Sequence, residues 1–177
     1  YGHYRAIAAA VHIPVIIYNV PLRTGVDIPV SVYRRLSDIP NIAGVKEAST
    51  DIMKTVRIRA QCPDDFTVWS GNDEMTVPII SLGGKGVISV LSNMLPKDTH
   101  NIVMEYLNGN VNTARELQFK YMALIRTLFC EVNPIPIKKA LELMGFQTKE
   151  LRMPLTEMEE NHIEQLKKEM QLLELLS

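Results

Sequence analysis

A lysine inside an apolar, strand-like run is the residue of this sequence best suited to covalent chemistry. Lys46 lies in the run Ile42–Ala48 (IAGVKEA), where alternation of side chains puts it on the opposite face from Glu47. Burial lowers the pKa of an ammonium group toward the range in which the neutral amine attacks a carbonyl carbon. These residues leave a second interpretation open, in which Lys46 extends to solvent or pairs with Glu47.

Two further candidates, Tyr18 and Arg23, lie near the end of another apolar run, which starts 28 residues before the run that contains Lys46. Tyr18 ends the run Pro14–Val20 (PVIIYNV), where a phenol either completes the core with its hydroxyl in water or relays protons. The turn-forming segment Pro21–Gly25 (PLRTG) carries Arg23. An arginine there either holds a carboxylate through two parallel hydrogen bonds or is a surface charge.

Two glycine-containing segments need a structural or a binding explanation. In Ser70–Glu74 (SGNDE), Asn72 or Asp73 can cap a following helix, and Gly71 permits close approach of the backbone. The segment Gly83–Gly86 (GGKG) lacks both phosphate-binding glycine patterns and precedes a strand rather than a helix. We therefore do not expect it to bind phosphate.

The elements that position these residues alternate between strand and helix. Runs rich in β-branched residues start 28, 24 and 20 residues apart, which is typical of βαβ units in a parallel sheet. All the candidates then fall at the carboxyl ends of strands, where barrel enzymes build their sites. We predict four strands and four helices, which are Pro14–Val20, Ile42–Ser49, Phe66–Gly71 and Gly86–Leu91, with Val30–Leu36, Asp51–Gln61, Glu74–Leu82 and Lys97–Leu107.

The remainder of the chain predicts three helices without strands. Apolar residues recur at helical spacing through Leu128, Pro134 begins a second helix that Gly145 ends, and Thr156 with Glu159 forms a capping box for a third.

We therefore divide the chain into a βα region, 1–108, and a helical region, 109–177. A complete (β/α)8 barrel takes about 250 residues, so this chain forms either an open sheet or half a barrel. Because it starts at Tyr1, inside a helical pattern, we expect a fragment.

Composition excludes several classes of protein. Hydrophobic residues are 46% and charged residues 22%, and the net charge is −1, so no strong field attracts nucleic acid or an anionic membrane. No apolar run reaches the roughly 18 residues of a membrane span. Cys62 and Cys130 are far apart and have no C-x-x-C motif or clustered histidines, so we expect neither a disulfide nor a zinc site. A reduced, cytoplasmic chain follows from this cysteine usage.

The motifs together closely resemble the second half of the dihydrodipicolinate synthase family, within the pyruvate-dependent aldolases. The resemblance rests on Tyr18–Gly25 (YNVPLRTG), Gly44–Ser49 (GVKEAS), Ser70–Asp73 (SGND), Gly83–Ser89 (GGKGVIS) and Asn133–Lys138 (NPIPIK). It implies an α/β fold, the second half of a (β/α)8 TIM barrel with strands five to eight in 1–108. A C-terminal three-helix region would follow.

The same resemblance implies a reaction and a role for each matching residue. Lys46 would form a Schiff base with pyruvate, Tyr18 would relay protons, and Arg23 would hold the carboxylate of aspartate 4-semialdehyde. Three further residues are implied to line the substrate pocket, namely Gly71, Asn72 and, through its backbone, Ile88. The implied product is 4-hydroxy-tetrahydrodipicolinate, of lysine (diaminopimelate) biosynthesis. No metal or organic cofactor is implied, and the implied assembly is a homotetramer built as a dimer of dimers.

Departures from the family pattern keep two alternatives open. The first four βα units, the paired threonines that contact pyruvate and the relay tyrosine from a neighbouring subunit are absent from this sequence. The chain could therefore be a non-catalytic structural fragment that needs its missing N-terminal half. An N-acetylneuraminate lyase or keto-sugar-acid aldolase would share Lys46 and Tyr18, although Arg23 argues against it.

Overall fold

Four parallel strands pair in the order in which they occur along the chain. The computed structural model describes residues 1–147 and 150–176, so Ser177, the predicted end of the helical region, lies outside the described residues. The sheet contains β1 (Val15–Asn19), β2 (Ile42–Glu47), β3 (Thr67–Ser70) and β4 (Gly86–Val87), in the order β1-β2-β3-β4. All three pairings are parallel, as the strand and helix alternation predicted.

Nine α-helices occur in the described residues, and the four predicted in the βα region lie within two residues of their expected bounds. They are α1 (Gly2–Ala10), α2 (Pro21–Thr24), α3 (Val30–Leu36), α4 (Ile52–Gln61), α5 (Thr76–Ser81), α6 (Pro96–Leu107), α7 (Val111–Leu128), α8 (Ile135–Leu143) and α9 (Glu160–Leu172). The one-turn helix α2 replaces part of the predicted turn, because Pro21 stands at a favourable first helical position.

The fourth strand is much shorter than predicted. It ends at Val87, and the chain then forms a 3₁₀ turn at Leu91–Asn93. The Asp73 carboxylate accepts hydrogen bonds from the N–H groups of Val90 and Leu91, at 2.9 and 3.3 Å, which directs these amides away from strand pairing. The β-branched pattern alone could not predict this, because the acceptor lies 17 residues away.

Among the described residues, helices cover one face of the sheet and leave the other exposed. On the covered face, Ile17, Val45 and Val68 are completely buried. On the other face, Ile16 and Tyr18 retain 42% and 40% of their accessible surface. Parallel sheets are normally covered on both faces, whereas one face of this sheet is exposed. We call the face that carries Ile16, Tyr18 and Lys46 the open sheet face.

The hydrophobic core consists of two clusters. The first surrounds the covered face of the sheet, and the second lies among α6 to α9. Ile102 of α6 belongs to the second cluster, whereas the division at residue 108 placed α6 with the sheet. Asp73 joins the two regions, because its backbone carbonyl also accepts from Gln118 of α7 at 3.0 Å. The division of the sequence at residue 108 stays a prediction.

The predicted capping box before α9 is wrong. The helix begins at Glu160, with Glu159 as its N-cap residue and no hydrogen bond from that residue's side chain to the helix. Glu131 supplies an acceptor instead, because its Oε1 receives the Glu159 N–H at 3.0 Å. Residues before α9 alone therefore could not reveal what stabilises its start.

Two remaining expectations concern membranes and cysteines. Within residues 1–147 and 150–176, no helix has the length and apolarity needed to cross a bilayer. Cys62 is buried and Cys130 is exposed, and both are free thiols.

Candidate active site

Lys46 and Tyr18 are paired neighbours on adjacent strands of the sheet. The register places Tyr18 of β1 opposite Lys46 of β2, and the Lys46 Nζ atom lies 4.2 Å from the centroid of the Tyr18 ring. This is the geometry of a cation–π contact. Tyr18 is 40% exposed on this face, and its role as a proton relay stays a prediction. The two side chains share the open sheet face.

The ammonium group of Lys46 has no carboxylate partner in the described part of the chain. Lys46 is half-buried, and none of the salt bridges or side-chain hydrogen bonds among these residues includes it. Glu47 points to the covered face and contacts Lys54, so the alternative pairing of Lys46 with Glu47 is wrong. An amine with an aromatic neighbour and no counter-ion is open to a carbonyl substrate.

Backbone hydrogen bonds hold the carboxyl ends of the strands together. Strands β2, β3 and β4 each continue their pairing one residue beyond their end, through Ala48 N–H to Asn19 O at 2.9 Å, Gly71 N–H to Glu47 O at 2.7 Å and Ile88 N–H to Ser70 O at 2.9 Å. The edge that carries the candidate residues is therefore a continuous hydrogen-bonded surface.

Gly71 and Asn72 have structural roles at this edge. A Cβ atom on Gly71 would lie 2.6 Å from the Ala48 Cβ and 3.1 Å from the Glu47 carbonyl oxygen, so the close approach expected at this glycine is confirmed. Asn72 caps the following 3₁₀ turn, because its Oδ1 accepts the Glu74 N–H at 3.0 Å. The predicted contacts of Gly71 and Asn72 with substrate remain predictions.

We expect Gly71→Ala to destabilise the protein by about 1–3 kcal/mol, because the added methyl group overpacks the junction between two strand ends. Urea unfolding measures the change. Gly2→Ala is the matched control, since a Cβ there meets no atom within 4 Å. Equal stability of both variants would contradict the close-approach argument.

Arg23 and Ile88 lie at the two sides of the same edge. Arg23 is exposed on α2, and among the described residues its guanidinium has neither an ion pair nor a hydrogen bond. Ile88 follows β4 and is 38% exposed. Neither residue forms a hydrogen bond or an ion pair with Lys46 in the described structure. Gly83 and Gly84 donate backbone hydrogen bonds to the last turn of α5, which is consistent with a structural role for this turn.

A buried polar network behind the strand ends was missed by the sequence reasoning. The Glu47 carboxylate is 2% exposed and accepts from Asn19 Nδ2 at 2.8 Å and from the Ser49 N–H at 2.7 Å. Lys54 Nζ of α4 lies 3.8 Å from Glu47 Oε2. A buried carboxylate is costly unless it is paired in this way.

The network also fixes the loop that follows Arg23. Lys54 Nζ donates a hydrogen bond to Asp27, and Asn19 Nδ2 donates to the same carboxylate at 2.9 Å. Asn19 Oδ1 accepts the Ile28 N–H at 3.0 Å. Asn19 therefore ties the end of β1 to both the Arg23 loop and the end of β2.

The pKa shifts of Asp27 and Tyr33 agree with the hydrogen bonds of this network. The hydrogen bond from Lys54 holds the pKa of Asp27 below its usual value, against the opposing effect of burial. Burial, followed by the negative charge of Glu47, raises the pKa of Tyr33, so its hydroxyl stays neutral and donates to Glu47 at 3.4 Å. One signal could have found the network, because Asn19 and Glu47 interrupt the apolar, covered face at adjacent register positions.

Comparisons with known proteins agree on one family. The chain matches the sequence model of the dihydrodipicolinate synthetase family over residues 1–173. It is 51% identical over 166 residues to a 4-hydroxy-tetrahydrodipicolinate synthase from Caldicellulosiruptor saccharolyticus, covering 94% of this chain and 56% of that protein. The chain thus spans little more than half the length of the curated relatives that it matches.

Solved structures of dihydrodipicolinate synthases superpose closely on this chain. The dihydrodipicolinate synthase of Thermotoga maritima superposes with a TM-score of 0.95 at 41% identity, covering 99% of this chain and 61% of that one. The enzyme of Acinetobacter baumannii, solved in complex with pyruvate, superposes with a TM-score of 0.94 at 38% identity, covering 99% and 60%.

Proposed function

Since this chain belongs to the dihydrodipicolinate synthetase family, we propose that it supplies the Schiff-base lysine of a 4-hydroxy-tetrahydrodipicolinate synthase. The reaction condenses pyruvate with aspartate 4-semialdehyde in lysine (diaminopimelate) biosynthesis, in the cytoplasm. The chain would contribute strands five to eight of a (β/α)8 barrel, and the part of its relatives that it does not span would contribute strands one to four. The open sheet face supports this proposal, because it is the face that a barrel encloses.

In the proposed mechanism, the neutral amine of Lys46 attacks the keto carbon of pyruvate, and loss of water gives a Schiff base. This cationic imine withdraws electrons from the pyruvate methyl group, which loses a proton to form an enamine. Tyr18 relays protons to and from the adduct, and the enamine carbon attacks the aldehyde carbon of the second substrate. The product amine then closes the ring onto the imine carbon and releases Lys46. Pyruvate bound covalently to Lys46 carries the reaction, which in this proposal uses no metal or organic cofactor.

The second substrate would be held by residues around the sheet edge. Arg23 would bind the carboxylate of aspartate semialdehyde, while Gly71, Asn72 and the backbone of Ile88 would line the pocket. The exposure of Arg23 and its freedom from ion pairs in the described structure support this role. The relative from Acinetobacter baumannii, solved with pyruvate, supports pyruvate as the first substrate.

The observation that carries the proposal is the Lys46 amine stacked on the Tyr18 ring with no anionic partner among the described residues. Its test is reduction with borohydride in the presence of pyruvate, followed by mass measurement. We expect one reduced pyruvate on Lys46, no adduct in Lys46→Ala, and an unchanged adduct in Lys85→Ala, which removes an exposed lysine from the other end of the sheet.

Adduct formation and substrate kinetics together distinguish the alternatives. An adduct on the full-length enzyme but not on this chain alone would assign the chain a purely structural role in isolation. No adduct in either would overturn the Schiff-base proposal. Faster condensation or cleavage of N-acetylmannosamine-derived substrates than of aspartate semialdehyde would favour an N-acetylneuraminate lyase or keto-sugar-acid aldolase.

We expect Arg23→Ala to act mainly on the aldehyde substrate. Loss of a charged, two-point hydrogen bond costs about 1.5–3 kcal/mol, which raises the KM for aspartate semialdehyde by roughly 10- to 150-fold. Steady-state kinetics at saturating pyruvate measures this change. Arg57→Ala is the control, because Arg57 pairs with Asp51 at the exposed surface. An unchanged KM would remove Arg23 from the site.

The open sheet face and the two edge strands predict association. The backbone groups on the outer sides of β1 and β4 have no strand partner in the described structure, and exposed edges of this kind pair with other chains. We therefore expect this chain to pair with the remaining barrel half, to pair with itself or to aggregate. In the complete enzyme we propose a homotetramer. A single 20.0 kDa species in sedimentation velocity at micromolar concentration would contradict this expectation.

A further inference from the structure

Contrary to the expectation from the sequence, we propose that Cys130, Glu131 and His162 form a binding site for a thiophilic divalent cation, with Zn²⁺ as the expected ion. One ligand atom from each residue lies within 4.8 Å of the other two, and no other group of three such residues is as close in residues 1–147 and 150–176. Cys130 and Glu131 lie in the connection between α7 and α8, whereas His162 lies in the first turn of α9.

The three residues provide a ligand set that zinc prefers. Thiolate sulfur, imidazole nitrogen and carboxylate oxygen bind Zn²⁺ at about 2.3, 2.0 and 2.0 Å, which spaces tetrahedral ligand atoms by roughly 3.3–3.7 Å. His162 Nδ1 and Glu131 Oε1 are already 2.7 Å apart. Shifts of about an ångström would therefore place all three atoms around one ion, with water in the fourth position.

The carboxylate is held in place before an ion binds. Glu131 Oε1 accepts the Glu159 backbone N–H at 3.0 Å, and the Glu131 side chain is 15% exposed. Backbone donors of this kind orient carboxylate ligands in metal sites. The exposed Cys130 leaves the site open to solvent, so an ion has a path of entry.

One other use of the cluster agrees less well with its chemistry. Magnesium and calcium select oxygen ligands and would leave the sulfur and the imidazole unused. A zinc ion would replace the thiol proton, which passes to solvent, and would balance the carboxylate charge.

A bound ion would connect two helices that are distant in the sequence. Cys130 follows the last residues of α7, and His162 lies 31 residues beyond Glu131 on α9. Ligation would fix the start of α9 against the end of α7, so the cation should raise the temperature of unfolding. This site is separate from Lys46 and would be occupied equally in Lys46→Ala.

Cobalt titration of the purified protein tests the site, because Co²⁺ substitutes for Zn²⁺ and absorbs in the near ultraviolet when bound to thiolate. We expect one Co²⁺ per chain with this absorption, displaced by Zn²⁺. Loss of a metal-orienting residue already costs 10- to 100-fold in affinity, so Cys130→Ser and His162→Ala should weaken Zn²⁺ binding by at least about 100-fold. Cys130→Ser should also abolish the absorption.

Matched controls replace the same residue types elsewhere. Cys62→Ala and His12→Ala should bind Co²⁺ as the unsubstituted protein does. A second measurement follows alkylation of Cys130 by mass spectrometry, which Zn²⁺ should slow in the unsubstituted protein but not in His162→Ala. Absence of the thiolate absorption in the unsubstituted protein, or its persistence in Cys130→Ser, would overturn the proposal. Zinc affinity in His162→Ala equal to that of His12→Ala would also overturn it.

Discussion

Replacing Tyr18 with phenylalanine is expected to lower kcat of the full-length enzyme by about 10²- to 10⁴-fold, the usual contribution of a positioned proton-transfer group. Pyruvate binding should change little. The phenyl ring keeps its place on the open sheet face and still packs against the Lys46 ammonium, 4.2 Å from the ring centroid in this structure. The variant therefore removes the hydroxyl and little else.

Kinetics and adduct formation together test this expectation. The pyruvate KM and the yield of the borohydride-reduced adduct should stay within a few-fold of the unsubstituted enzyme. Tyr106→Phe removes a hydroxyl from α6, away from the strand ends, and serves as the control. Parallel losses of turnover and pyruvate affinity in Tyr18→Phe would assign the phenol to binding rather than to proton transfer.

The second large effect concerns the buried network. Lys54→Met should destabilise the protein by about 3–5 kcal/mol, because it leaves the Glu47 carboxylate charged and buried without its cation. The side chains of Lys54 and Glu47 retain only 4% and 1% of their accessible surface. Chemical denaturation measures the change, and Lys97→Met, at an exposed position, should have little effect.

A double variant distinguishes charge pairing from simple packing. Adding Glu47→Gln to Lys54→Met removes the unpaired charge while keeping an acceptor for Asn19, so part of the lost stability should return. If the two substitutions were instead additive, the two side chains would have no energetic coupling. In that case the network would not be an electrostatic support for the neighbouring Lys46 and Tyr18.

Local patterns predicted most of the sheet and its helices. The runs that contain Ile17 and Val45 carry their own signal, because a covered strand face requires apolar side chains at every second residue. The helix over Val30–Leu36 was predicted to the residue. The pairing of Tyr18 with Lys46 follows from these elements, since consecutive parallel strands align their carboxyl ends.

Features that depend on distant partners could not be predicted in this way. The turn after β4 is held by Asp73, 17 residues before Val90, and the N-cap residue of α9, Glu159, donates its N–H to Glu131, 28 residues earlier. The network around Glu47 likewise depends on Lys54 reaching across from α4. Single polar residues of this kind look the same in a sequence whether they are exposed or buried.

The order of the strands also bears on how the chain folds. Each strand pairs with the next one along the chain, so Tyr18 and Lys46 are separated by 28 residues, Lys46 and Trp69 by 23, and Trp69 and Gly86 by 17. A parallel pair needs a crossover of at least about a dozen residues, and each doubling of a loop adds roughly 0.6 kcal/mol of closure entropy. The 22 residues between β1 and β2, which align the amine with the phenol, are less than one doubling longer than that minimum, so their extra closure cost is below about 0.6 kcal/mol. This alignment needs no contact across the open sheet face, so it can precede association there.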